Sequence, residues 1–147
     1  MRIDLGCGNS KHEGCDTFID RVDFGHNVVC NFEIEKLPFK DNSVDYIWSN
    51  HVLEHIKDPQ LLMNECWRVL KKDSKFEIHV PYGLWPGASK PVHLQYITAC
   101  WFDWFRRKDL FKWYGYHNWI IQPGDLKEVK NNNGEIYEVY CIMSPDK

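Results

Sequence analysis

The segment Asp4-Leu5-Gly6-Cys7-Gly8 follows a short run in which Met1, Ile3 and Leu5 alternate with Arg2 and Asp4. Glycines at the exit of a strand let a ligand approach the backbone closely. A dinucleotide fingerprint wants a third glycine, which packs the helix that meets a pyrophosphate; Lys11 stands there instead. That weakens a nicotinamide or flavin reading and leaves room for a ligand without pyrophosphate. Asp20 ends the next strand, where a carboxylate can accept from both hydroxyls of a ribose. Asn31-Phe32 ends the third, an amide for an adenine edge and a ring to flank it. Each residue taken singly is also an ordinary turn or surface residue. Their order along the chain is what points to a nucleoside-like ligand.

The elements that must hold these residues can be read from periodicity. Strands are expected at residues 1–5, 17–20, 27–30, 44–48 and 75–82, with a turn at 40–43. Asp58 and Pro59 start a helix, as N-cap and first helical residue. Leu61, Leu62, Cys66, Val69 and Leu70 form its apolar face, and Lys71 and Lys72 its C-terminus. A loop covers 83–90, a second helix 98–112, and the end is a hairpin turning at 131–134 with a last strand at 136–143. Strands alternating with helices give an α/β fold. The links among the first four strands are too short for full crossover helices, so helices cover one face and leave the other thin.

The 147 residues fit a single domain, 1–147. Apolar and charged shares of 44% and 27% exclude wholesale disorder. A net charge of −3 argues against a broad nucleic-acid face. No signal peptide or apolar span is visible, so the expectation is a cytoplasmic protein without membrane contact. The six cysteines form no Cys-x-x-Cys pair and are expected reduced, and no metal ligand set is expected.

With these residues in order, the sequence resembles the class I S-adenosylmethionine-dependent methyltransferases. The resemblance is carried by Asp4-Leu5-Gly6-Cys7-Gly8, Asp20, Leu37-Pro38-Phe39 with Asp41-Asn42-Ser43-Val44-Asp45, His51-Val52-Leu53-Glu54-His55, Arg68-Val69-Leu70-Lys71 and Val80-Pro81. It runs from Met1 to about Tyr82. The usual Lys-Pro-Gly-Gly turn before the fifth strand is Lys72-Asp73-Ser74 here. The chain begins at the first strand, which suggests an N-terminally truncated member of a short branch acting on small molecules or sugars. The resemblance implies a reduced Rossmann-like methyltransferase fold: about seven mostly parallel strands, few crossover helices and a C-terminal antiparallel hairpin. It implies S-adenosylmethionine as cofactor, leaving as S-adenosylhomocysteine. Asp4, Gly6, Cys7 and Gly8 would lie by its methionine part, Asp20 at the ribose, Asn31 and Phe32 at the adenine, and Asn50 and His51 near the sulfonium.

Methyl transfer is mainly alignment, and a base helps only where the acceptor carries a proton of high pKa. His55 and His93 are the candidates, Glu54 a lesser one; either histidine is also readable as a packing residue. Residues 101–119 hold nine aromatics, readable as core under the hairpin, as an oligomer interface or as an acceptor pocket. Arg106-Arg107-Lys108 reads as a solvated helix face rather than an RNA contact. The expected activity is methyl transfer to a small-molecule or sugar-like acceptor, in a homodimer or with a partner subunit on the thin sheet face or the aromatic segment. The alternatives are a non-catalytic cofactor-binding module and an enzyme that cleaves the cofactor.

Overall fold

A computed structural model describes residues 1–147, the side chain of Lys112 excepted. Five parallel strands come first: β1 (Arg2–Leu5), β2 (Thr17–Asp20), β3 (Val28–Val29), β4 (Val44–Asn50) and β5 (Leu70–Pro81). Then β6 (Trp119–Ile120), β7 (Leu126–Lys130) and β8 (Ile136–Pro145) follow. The strand order is β3-β2-β1-β4-β5-β8-β6, with β7 also on β8; β8 runs antiparallel to β5, β6 and β7. The fold is the expected α/β methyltransferase-like sheet, with antiparallel strands at its C-terminal end.

Side-chain alternation sets the two faces. Ile3, Ile47, Phe76 and Met143 stand in one register row and are fully buried. The helix α1 (Pro59–Val69) lies between β4 and β5, and α2 (Ala99–Asp103) and α3 (Leu110–Tyr114) lie between β5 and β6. One hydrophobic cluster joins the sheet to Leu62, Met63, Cys66, Phe102, Phe105 and Trp119. The opposite face is the thin one. Ring contacts cross it from His12 on Trp48 (4.1 Å) to Trp48 on His79 (4.5 Å) and His79 on Tyr140 (4.8 Å). Arg2 lies 3.9 Å over the Tyr46 ring on the same face. Part of the aromatic excess therefore serves the sheet itself, where polar-tipped rings can be half wet.

The first helix starts as expected: Asp58 accepts from the Gln60 N–H (3.1 Å) and Pro59 is its first residue. Leu62, Met63, Cys66 and Val69 are buried, while Leu61 is exposed. Its end differs. Leu70 is already extended and pairs with Val44, so Lys71 and Lys72 belong to β5 rather than to the helix. The terminal carbonyls of Arg68 and Val69 accept from the Asn42 and Ser43 N–H groups, which satisfies them without another helical turn. The expected turn at 72–74 is an irregularity within β5, with Asp73 at φ 62°.

The expected helix over 98–112 is broken. Arg107 is extended between a 3-10 turn (Trp104–Arg106) and α3. Phe105 and Leu110 are both buried. On one continuous helix they would point about 140° apart; the break turns both inward. Residues 114–118 then lie along α1. Asn64 donates to Gly115 O (2.8 Å), Trp67 Nε1 donates to Asn118 O (2.9 Å), and His117 stacks on Trp67 at 4.1 Å.

Candidate active site

The carboxyl ends of β1, β2 and β4 open onto a cavity of about 410 Å³. Gly6, Asp20, Phe32, His51, Val52 and His55 are on its wall. Gly6 and Gly8 have φ of +72° and +56°, a region a Cβ disfavours. A Cβ on Gly6 would overlap the Val52 Cγ2 methyl and stand 3.2 Å from Cγ1. Glycine is thus required there twice over, by conformation and by space.

Asp20 fastens this loop. One carboxylate oxygen accepts the Gly8 N–H (3.0 Å) and the other the Val22 N–H (3.0 Å). Each oxygen keeps a further lone pair for a ligand hydroxyl. Asp4 sits beneath the loop, 5% exposed, accepting the His12 N–H at 2.9 Å. Burial pushes its carboxyl above the usual range. The Cys7 thiol is pushed up to about 11, chiefly by burial, and is no ready nucleophile.

Asp4, Gly6, Cys7 and Asn50 line a second hollow of about 230 Å³, together with Lys11, His12 and Trp48. Gly6 is common to both cavities. Asn31 is on neither wall: its amide oxygen accepts the Glu33 N–H (3.3 Å) within a turn. Glu33 lines the larger cavity and pairs with Arg21 at 3.3 Å. Arg21, Val22, Glu33, Ile56 and Val92 are wall residues that sequence reasoning passed over. Only the adjacency of Glu33 to Phe32 could have suggested one of them.

His51 follows the last paired residue of β4 with φ 55°, an unusual conformation for a non-glycine and one found at functional sites. Its Nδ1 lies 3.1 Å from a Glu54 carboxylate oxygen. That hydrogen bond raises the imidazole pKa above its ordinary value. The two candidate bases also meet: the His55 and His93 ring centroids are 4.9 Å apart. His55 lines the cavity, and His93 stands behind it, 9% exposed.

Residues 3–78 match the family described as Methyltransferase domain. The chain belongs to this methyltransferase family. A probable S-adenosylmethionine-dependent methyltransferase of Mycolicibacterium smegmatis is 32% identical over 75 residues, 50% of this chain. The match spans 27% of that relative's length. Among solved structures, a chain of the complex between the Haloferax volcanii Trm112 methyltransferase activator and a methyltransferase is similar with a TM-score of 0.65. The identity is 18%, over 99% of this chain and 82% of that one. An S-adenosylmethionine-dependent methyltransferase from Archaeoglobus fulgidus gives 0.64 at 17% identity, over 97% and 84%. These likenesses extend the methyltransferase fold beyond residue 78, through β8.

Family membership implies S-adenosylmethionine as cofactor, and the residues present fit it. The cavity is within the size range of small-molecule sites. Asp20 offers acceptors to a diol, and among the described residues nothing lies within 4 Å of where a Gly8 Cβ would stand.

Proposed function

We propose that this chain binds S-adenosylmethionine at the ends of β1, β2 and β4 and methylates a small-molecule or sugar-like acceptor. The observation that carries the reading is the Asp20 clasp on the glycine loop, at the mouth of a cavity that a family motif also marks. In this reading Asp20 holds the ribose hydroxyls, Phe32 flanks the adenine, and Glu33 takes its amino group in place of Asn31. Asp4, Cys7 and Asn50 border the methionine end. When bound, the cofactor supplies an electrophilic methyl on a sulfonium.

The chain's own part is alignment and proton handling. His55 Nδ1 faces the Val92 carbonyl at 3.0 Å, and a carbonyl can only accept. The proton therefore sits on Nδ1, and Nε2 of the neutral ring is the basic atom. His93 is arranged alike, with Nδ1 2.8 Å from Ala88 O. Either Nε2 can take the proton of an acceptor hydroxyl. A cavity of about 450 Å³ lined by Lys57, Gln95, Trp101, Trp104, Phe105 and Tyr116 begins one residue beyond Ile56. Its aromatic walls, with Lys57 and Gln95 among them, suit a small polar acceptor.

The chain acts as one domain, 1–147, in the reducing cytoplasm, where its six free thiols remain reduced. Among the described residues no helix is long and apolar enough to cross a membrane. Phe111 stays 51% exposed, and we assign it to contact with a second copy of the chain or an activator subunit. The thin sheet face is less suited to that contact, since its own ring ladder covers it. One relative, named above, is in a complex with an activator.

The test is formation of S-adenosylhomocysteine against a panel of hydroxylated acceptors. Acceptor-dependent product supports transfer. Binding without turnover would leave a cofactor-binding module, and product without acceptor would show cofactor cleavage.

A further inference from the structure

Glu54 is 1% exposed, and one of its carboxylate oxygens has no hydrogen-bond partner among the described residues. A buried carboxylate with an unused oxygen is costly unless a cation or donor meets it. The other oxygen lies 3.8 Å from His55 Nε2. Glu54, His55 and His93 each bring one ligand atom, and the three atoms lie within 4.8 Å of one another. We propose that Glu54, His55 and His93 form a binding site for a divalent transition-metal ion, with Zn²⁺ as its natural probe.

The donor chemistry fits. Two neutral imidazoles and one carboxylate with open positions are a set that zinc and iron(II) enzymes use. Both histidines have their Nδ1 protons committed to backbone carbonyls, of Val92 and Ala88. That is the outer-shell arrangement that orients a metal-binding imidazole and leaves Nε2 to the ion. The third ligand is oriented too, because His51 Nδ1 holds at 3.1 Å the same Glu54 oxygen that lies 3.8 Å from His55 Nε2.

The distances fit as well. Three atoms mutually within 4.8 Å lie in a circle of about 2.8 Å radius, so an inward shift of about 0.7 Å reaches zinc bond lengths. The backbone is set for it. Leu94 and Gln95 N–H groups both donate to Glu54 O (2.6 and 3.0 Å), and Gly83 N–H donates to Ile97 O (2.7 Å) at the base of the loop. The loop carrying His93 is thus strapped to the turn carrying Glu54 and His55.

His55 also lines the cofactor cavity, so an ion held there would occupy its Nε2 and, in place of the imidazole base, take an acceptor hydroxyl as a ligand and ease its deprotonation. This last consequence rests on the methyl-transfer reading; the metal site does not.

The test uses the full chain after chelator dialysis, without cofactor or acceptor. Zn²⁺ is titrated against a chromophoric chelator, and Co²⁺ is followed by absorption. One ion per chain is expected. His93→Ala weakens Zn²⁺ by more than about 100-fold, and His51→Ala by about 10–100-fold, the usual cost of losing an outer-shell partner. His55→Ala, at a side chain 39% exposed, repeats the first test with little risk to folding. The Co²⁺ bands are expected without thiolate charge transfer. No binding, binding unchanged in all three variants, or a thiolate spectrum overturns the site. Such a failure leaves acceptor-dependent turnover unaffected, so the two readings are separable.

Discussion

Replacing Gly6 by alanine tests the glycine loop most sharply. Two costs add. Holding alanine at φ +72° costs about 1–2 kcal/mol. The new methyl also overlaps Val52 Cγ2 in a packed place, Val52 being 6% exposed, and overpacking costs about 1–3 kcal/mol. The sum is about 2–5 kcal/mol, a fall in melting temperature of about 4–20 °C for a chain of this size. Gly8 isolates the first cost: its φ is +56°, but among the described residues nothing lies within 4 Å of where its Cβ would stand. Gly8→Ala should therefore lose only about 1–2 kcal/mol. Val52→Ala opens room for the Gly6→Ala methyl. The double variant should lose less than the sum of the singles, by about 1–3 kcal/mol. Urea unfolding followed by tryptophan fluorescence measures all four variants against the wild type. If Gly6→Ala costs no more than Gly8→Ala, or the pair adds within about 0.5 kcal/mol, the steric account of this loop is wrong.

Three further outcomes are expected. Asp20→Asn removes a charge-assisted acceptor worth about 1.5–3 kcal/mol, so S-adenosylhomocysteine should bind about 10- to 150-fold more weakly by calorimetry. Burial disfavours ionisation of Glu65, but the Arg68 guanidinium, 2.7 Å away, outweighs it and holds the carboxyl below its ordinary value. A lowered folded-state pKa gives stability that is full above about 4.3 and is lost as pH falls through the folded value. Wild type and Arg68→Ala should therefore converge in stability on acidification, and a gap that widens would refute the pairing. Native thiol labelling should modify exposed Cys100 first, whereas Cys7 and Cys15, both pushed up to about 11 chiefly by burial, react slowly. Equal rates would contradict this.

What the sequence discloses depends on how local its cause is. Asp58-Pro59 announces the first helix because capping acts over two or three residues. Residues 17–20 form β2 as expected, and the alternation around Phe76, Ile78 and Val80 gives the buried face of β5. The break at Arg107 was hidden, because it serves the burial of Leu110 in a core built by distant strands. The start of β5 at Leu70 was hidden for the same reason: Val44, far along the chain, fixes it by pairing. At the site, the glycine loop and Asp20 share a turn-sized pattern with ligand chemistry and could be read. Glu54 could not be assigned a role beyond a lesser base, since its burial and its nearness to His93 arise only when the chain returns to it after α1 and β5. Asn31 looked like an adenine contact by position, yet its side chain serves its own turn.

The most direct test of the cofactor site is a crystal structure of the protein with S-adenosylhomocysteine. The account predicts the ligand in the cavity at the ends of β1, β2 and β4. Both ribose hydroxyls should lie within hydrogen-bond distance of the Asp20 carboxylate, and Phe32 should lie against the adenine. A ligand bound elsewhere, or one whose ribose makes no contact with Asp20, would contradict it.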